Sequence, residues 1–157
     1  MRLSPPVSHQ TDRLYRGVNR DLHRANEGRI RPKKCGPFEH IFYADGSIYA
    51  DGSATAGPSE QNAVLYHQLD QAGHPTAGIS TTPHLERARY YATWGGKPGV
   101  VYVIDWTKLP AVGVREFVVA ATVQPLSLAV PEDDEVILVA PGDGTLPPAA
   151  IIEVLEA

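Results

Sequence analysis

The last third of this chain is a series of short apolar runs separated by prolines. "VREFVVAATV", "LSLAV", "EVILVA" and "AIIEVLEA" are divided by Pro125, Pro131, Pro141 and the pair Pro147-Pro148. Proline lacks the amide that a central strand or helix interior needs, so each run is limited to one short strand. "GVVYVIDW", residues 99–106, is the clearest strand of all, with β-branched residues between a glycine and a tryptophan. Helical patterns stand between some strands without a regular alternation. A mixed or antiparallel α+β domain is therefore expected in place of repeated βαβ units.

Further upstream, "RLYRGV" predicts a short strand anchored by Leu14 and Val18, and "NRDLHRANEG" one or two helical turns ending at Gly28. "IFYADGSIYADGS" carries two near-repeats, Tyr43 to Ser47 and Tyr49 to Ser53, best accounted for by a hairpin or glycine-rich loop. "SEQNAVLYHQLDQAG" has a helical apolar face and a glycine stop. "GIS" enters a strand, Thr82 is placed to cap a helix starting at Pro83, and "HLERARYYATWGG" runs to the next glycines.

With 157 residues, a single domain is expected over 13–157, after a flexible lead-in at 1–12 that contains Pro5-Pro6. Charge is uneven. Residues 1–34 hold nine Lys/Arg against three acids, whereas the remainder holds five against fifteen. That distribution argues against a general nucleic-acid coat and is compatible with a small polyanionic ligand near the N-terminal segment. Cys35 is the only cysteine, which excludes an intrachain disulfide and a cysteine-cluster metal site. The six histidines are scattered, and no metal is expected. No secretory leader or membrane-length apolar run is visible, so the chain reads as soluble.

Three short motifs are chemically suggestive, and each also has an ordinary reading. Arg16 in "LYRG" can grip a phosphate through its guanidinium fork, or be a surface arginine or carboxylate clamp. Ser80 in "GISTT" can hydrogen-bond a ribose or a carboxylate, or merely end a strand. Without a glycine-framed elbow it is not a hydrolase nucleophile. Glu135 in "PEDDEVILVA" can stabilise positive charge developing on a sugar, or belong to a solvated acidic turn. Asp133 stands two residues before it and, in an extended backbone, would face the same side. Tyr90 and Tyr91 point in different directions on a helix, so one can pack in the core while the other lines a site.

The order of Tyr15-Arg16-Gly17, then Ser80-Thr81-Thr82, then Asp133-Asp134-Glu135 resembles the mono-ADP-ribosyltransferases of the cholera-toxin and related bacterial toxin class. The resemblance extends from about residue 13 to the final strand. It implies a split, bent two-sheet core with short helices and an NAD cleft, and NAD as co-substrate. Catalytic roles would fall to Glu135, Ser80 and Asp133. Contacts to NAD would come from Arg16, Tyr15, Gly17, Ser80, Thr81, Tyr90 and Tyr91. Arg16 would support the phosphate and ribose side, Ser80 would organise Glu135, and Asp133 would orient the acceptor. Relatives that modify arginine carry glutamate where this chain has Asp133, which leaves the acceptor, protein or nucleic acid, open.

The expected activity is transfer of ADP-ribose to a macromolecule with release of nicotinamide. By resemblance, the protein is a toxin or effector, secreted or delivered to a target cell by an upstream domain or export system, with a cognate immunity protein as partner. An NAD glycohydrolase and a noncatalytic nucleotide- or protein-binding module on the same fold are the alternatives. A ribonuclease-like toxin is a more distant one.

Overall fold

The computed structural model describes residues 12–32, 78–122 and 131–157. The expected hairpin at 41–53, the helix at 59–73, the strand at 126–130 and Cys35 lie outside the described residues. Within them, the chain forms β1 (Arg13–Asn19), α1 (Arg20–Ala25), β2 (Ile79–Thr81), α2 (Leu85–Ala92), β3 (Gly99–Asp105), β4 (Arg115–Val118), α3 (Val119–Thr122), β5 (Val136–Val139) and β6 (Ile151–Glu156). Two antiparallel three-stranded sheets result, in the orders β1-β3-β6 and β2-β5-β4. The α+β, two-sheet expectation holds.

Strand alternation assigns each face. In the first sheet Leu14, Arg16 and Val18 lie opposite Ile104, Tyr102 and Val100, so these six share one side. In the second, Ile79 and Thr81 lie opposite Leu138 and Val136. The apolar members of both sets meet in one core with Ile30, Leu109, Val114 and Leu146. Burying each such aliphatic side chain contributes about 1.5 to 3 kcal/mol. The period-two pattern of "RLYRGVN" is therefore what turns Arg16 toward the space between the sheets.

The other face of the first sheet carries α2. Tyr15, Val101 and Leu155 pack there against Leu85, Ala88 and Ala92. The approach is close enough that a Cβ on Gly17 would sit 1.8 Å from the Ala88 carbonyl oxygen, and one on Gly99 2.1 Å from that of Ala92. Small residues on both sides let the helix lie directly on the strands. No helix among the described residues is long and apolar enough to cross a membrane.

Three local expectations are corrected. The helix expected from Pro83 starts at Leu85, with His84 at the capping position; the Thr82 hydroxyl accepts from the His84 amide but donates to the Asp133 carbonyl instead of capping. "VREFVVAATV" is a strand only through Val118, and a short helix begins at Val119. Neither member of the tyrosine pair enters the core, because the face of α2 toward the sheet is Ala88 and Ala92, leaving Tyr90 46% exposed and Tyr91 half-buried.

The close helix contact generates a test. Gly17→Ala drives a Cβ into backbone and is expected to lose about 3 kcal/mol or more of stability in chemical denaturation. Gly95→Ala has open space around its Cβ and only a left-handed φ of 73° to contend with, so its loss should be about 1 kcal/mol.

Candidate active site

Among the described residues, the two sheets are joined by one backbone pair. The Tyr15 amide donates to the Thr82 carbonyl at 2.7 Å, and the Thr82 amide donates back to Tyr15 at 3.0 Å. Continued in register, Gly17 would next pair with Ser80, but β1 and β2 have parted by then and their bridge is isolated. The Ser80 carbonyl instead accepts from Arg16 Nη1 at 3.1 Å. A polar backbone group at the split thus receives a charged donor from 64 residues away.

Glu135 reaches the same neighbourhood from β5. Its carbonyl accepts from the Val119 amide at 3.1 Å, continuing the β4–β5 ladder by one pair. In the β2–β5 register, Ser80 pairs with Ile137 and Thr81 with Val136, so continuing that register by one residue would set Glu135 beside Thr82 and diagonally from Ser80. Ser80 and Ile137, paired directly, share one face, and the same alternation continued outward would add Thr82 and Glu135 to it. Diagonal neighbours at roughly 7 to 8 Å are within reach of long side chains. Arg16 is therefore in contact with the Ser80 carbonyl, and Glu135 immediately precedes the strand that pairs with Ser80.

The remaining expected site residues are engaged as follows. Tyr15 and Gly17 face α2, and Thr81 is buried with its hydroxyl donating to the Val136 carbonyl at 2.7 Å. Tyr90 stands on the outer surface, edge-on to both Tyr91 and the 64% exposed Trp94. Tyr91 donates to one Asp133 carboxylate oxygen, and Arg87 Nε donates to the other at 2.7 Å.

Asp133 and Glu135 do not project together as two residues of an extended strand. Pro131–Asp133 is a turn of 3-10 helix and Asp134 has a φ of 49°, so the backbone reverses between the two acids. The physical reason is the left-handed residue, which breaks the period-two alternation. Asp133 is turned to α2 as a result.

On the inner face, Arg16, Arg29, Arg31, Asn26 and Tyr102 line a small concavity, floored by Val18, Leu22 and Ile30. Three guanidiniums suit an anionic group such as phosphate. Neither Ser80 nor Glu135 lines it, and Arg16 connects it to the split. Burial raises the Tyr102 phenol above its ordinary value, and His23 Nδ1 lies 2.6 Å from its hydroxyl. Among the described residues no group of three or more His, Cys, Asp or Glu is arranged to hold a metal ion.

Sequence reasoning missed Arg87, Arg29, Arg31 and His23. The two arginines of "GRIRP" were visible only as part of the basic N-terminal third. Arg87 gave no signal, since its partner Asp133 is 46 residues away.

Burial, followed by the bond to Asp133, pushes the Tyr91 phenol from 10.0 up to about 12. The Asp133 hydrogen bond likewise raises Arg87, which stays cationic. A phenol whose folded-state pKa is raised stabilises the fold fully below its unfolded value and loses that contribution as pH climbs through the folded one. Alkaline titration of tyrosinate absorbance should thus show an ionisation near 12 that disappears in Tyr91→Phe. The same variant should lose less stability than the wild type between pH 10 and about 12.

Comparison with curated proteins gives no match. The family model for NarE, an ADP-ribosyltransferase-like family, matches residues 13–131. The match takes in Arg16, Ser80 and all of α2, and ends four residues before Glu135. A match over most of the chain, together with the two-sheet α+β architecture that carries it, makes this protein a member of the NarE family.

Proposed function

We propose that this protein cleaves NAD at the nicotinamide–ribose bond and transfers the ADP-ribosyl group to a macromolecular acceptor. The observation that carries the reading is the junction where Arg16 binds the Ser80 carbonyl while Glu135 immediately precedes the strand that pairs with Ser80. Membership of an ADP-ribosyltransferase-like family supports it.

In the proposed reaction the bond between ribose C1′ and the nicotinamide ring nitrogen breaks, and its electron pair leaves with nicotinamide. Positive charge then develops on the sugar. The Glu135 carboxylate stabilises that charge, with Ser80 orienting it. Arg16, with Arg29 and Arg31 near it, supplies the cations that suit the pyrophosphate of the substrate. The acceptor attacks C1′ and loses a proton to solvent. An effector or toxin role, and a cognate immunity protein, belong to the same proposal through the resemblance to bacterial toxins.

A specific observation favours water as a second acceptor. Both carboxylate oxygens of Asp133, the residue in the acceptor-orienting position of the motif, are already bound by Arg87 and Tyr91. Hydrolysis would use the same donor chemistry without that carboxylate.

Incubation with labelled NAD and a mixture of cellular proteins and nucleic acids should release nicotinamide and leave label on a macromolecule. Glu135→Gln, still folded by circular dichroism, should lower kcat by about 100-fold or more, and Ser80→Ala by about tenfold. Failure of the wild type to consume NAD across that acceptor range would overturn the proposal.

A further inference from the structure

We infer that Arg87 and Tyr91 are positioning residues that hold the turn delivering Glu135 through the Asp133 carboxylate, and in doing so withdraw that carboxylate from acceptor recognition. The inference rests on the reading of Glu135 given above. Its consequence is a preference for acceptors that lack a guanidinium.

The turn is tied at three successive levels. At Asp133, Arg87 Nε and the Tyr91 hydroxyl take separate carboxylate oxygens, so the side chain is held in orientation as well as position. The Asp133 main-chain carbonyl accepts from the Thr82 hydroxyl at 2.6 Å, and Thr82 is itself the residue that joins the sheets. At Asp134, His84 Nε2 lies 2.6 Å from the carboxylate. Glu135 follows immediately, its carbonyl already in the β4–β5 ladder. Each tie therefore acts on the short backbone segment that sets where Glu135 begins.

Such ties are needed because the turn is not the relaxed conformation of its sequence. A non-glycine residue at φ 49° costs on the order of 1 kcal/mol or more, although aspartate tolerates it better than most. Left to itself, the segment Glu132-Asp133-Asp134-Glu135 places four acids in succession. The Arg87 cation offsets their repulsion where Asp133 is 13% and Arg87 24% exposed, enough shielding for the pair to be more than a surface ion pair. Arg87 is itself held over the Tyr90 ring at 4.7 Å and the Tyr91 ring at 5.4 Å. The exposed tyrosine and its neighbour thus support the guanidinium that orients the turn.

A substrate guanidinium arriving at Asp133 would meet Arg87 in the place it needs. It would have to displace an intramolecular partner that is already oriented and forfeits little entropy on binding. An uncharged acceptor, water included, does not compete for that carboxylate.

The test compares wild type with Arg87→Gln, Arg87→Lys, Tyr91→Phe and Asp133→Asn. Initial rates of nicotinamide release are measured over a range of NAD, with and without agmatine as a free guanidino acceptor. Amide hydrogen exchange is followed across residues 131–136. The glutamine, phenylalanine and asparagine variants should lower kcat by about ten- to a hundredfold. The KM for NAD should stay within about twofold, because the donor contacts are untouched. Hydrolysis and transfer should fall together, exchange at 133–136 should rise, and Arg87→Lys should recover part of the rate. Agmatine should not accelerate the wild type. The inference is overturned if Asp133→Asn abolishes transfer while hydrolysis continues, or if exchange across the turn is the same in all the proteins. A wild type that leaves NAD intact refutes the function proposed above; the clamp is then judged by exchange alone, a rise at 133–136 sustaining it and no change overturning it.

Discussion

Among the described residues, one reciprocal backbone pair, Tyr15 with Thr82, joins the two sheets, and the geometry of the candidate site follows from where that pairing stops. Had β1 and β2 continued in register, the Ser80 carbonyl would have met the Gly17 amide and the edge would have closed. Divergence after a single pair leaves a carbonyl in need of a donor. Arg16 supplies it because strand alternation has already aimed that side chain between the sheets. An unsatisfied buried carbonyl costs about 1 to 3 kcal/mol, so the Arg16–Ser80 contact also stabilises the split. The same guanidinium borders the basic concavity formed with Arg29 and Arg31.

Helix α2 performs two separate tasks with two faces. Ala88 and Ala92 rest on Gly17 and Gly99 so closely that no Cβ fits at either glycine. That contact fixes the height and direction of the helix on the sheet. Arg87 and Tyr91, on another side of the same helix, then meet Asp133 with no adjustment of their own. A loosening of the small-residue contact would therefore be transmitted to the turn before Glu135. Stability and the placement of the acidic turn share one element, which makes α2 as much a part of the site as the strands.

Much of this was legible in the sequence. Short apolar runs located β1, β3, β5 and β6, glycines marked the ends of α1 and α2, and proline spacing argued against a regular βαβ fold. The order of Arg16, Ser80 and Glu135 suggested an ADP-ribosyltransferase, and the family match agrees at that coarse level over residues that include Arg16 and Ser80. Other features were not legible. The fate of the Tyr90-Tyr91 pair depended on which face of α2 lay against the sheet, and that depended on Gly17 and Gly99, remote glycines whose role as contact points is invisible in one dimension. Thr82 looked like a helix cap because Ser/Thr before proline often is one; its hydroxyl accepts from the His84 amide and donates to the Asp133 carbonyl, but the helix itself begins only at Leu85 with His84 at the cap. The two acids looked like neighbours on a strand because nothing local announces that Asp134 is left-handed.

By itself, the sequence determined most element types, the α+β class and which side of β1 each residue faces, since periodicity and proline or glycine chemistry act over a few residues and are written in their order; the two-sheet arrangement was implied only by the family resemblance. Only the tertiary structure decided that Arg16 meets the Ser80 carbonyl and that Asp133 belongs to Arg87 and Tyr91. Those pairings join positions 64 and 46 residues apart. They exist because helix packing on glycine and the parting of two strands bring particular polar groups within hydrogen-bond distance, a matter of geometry that no local pattern encodes.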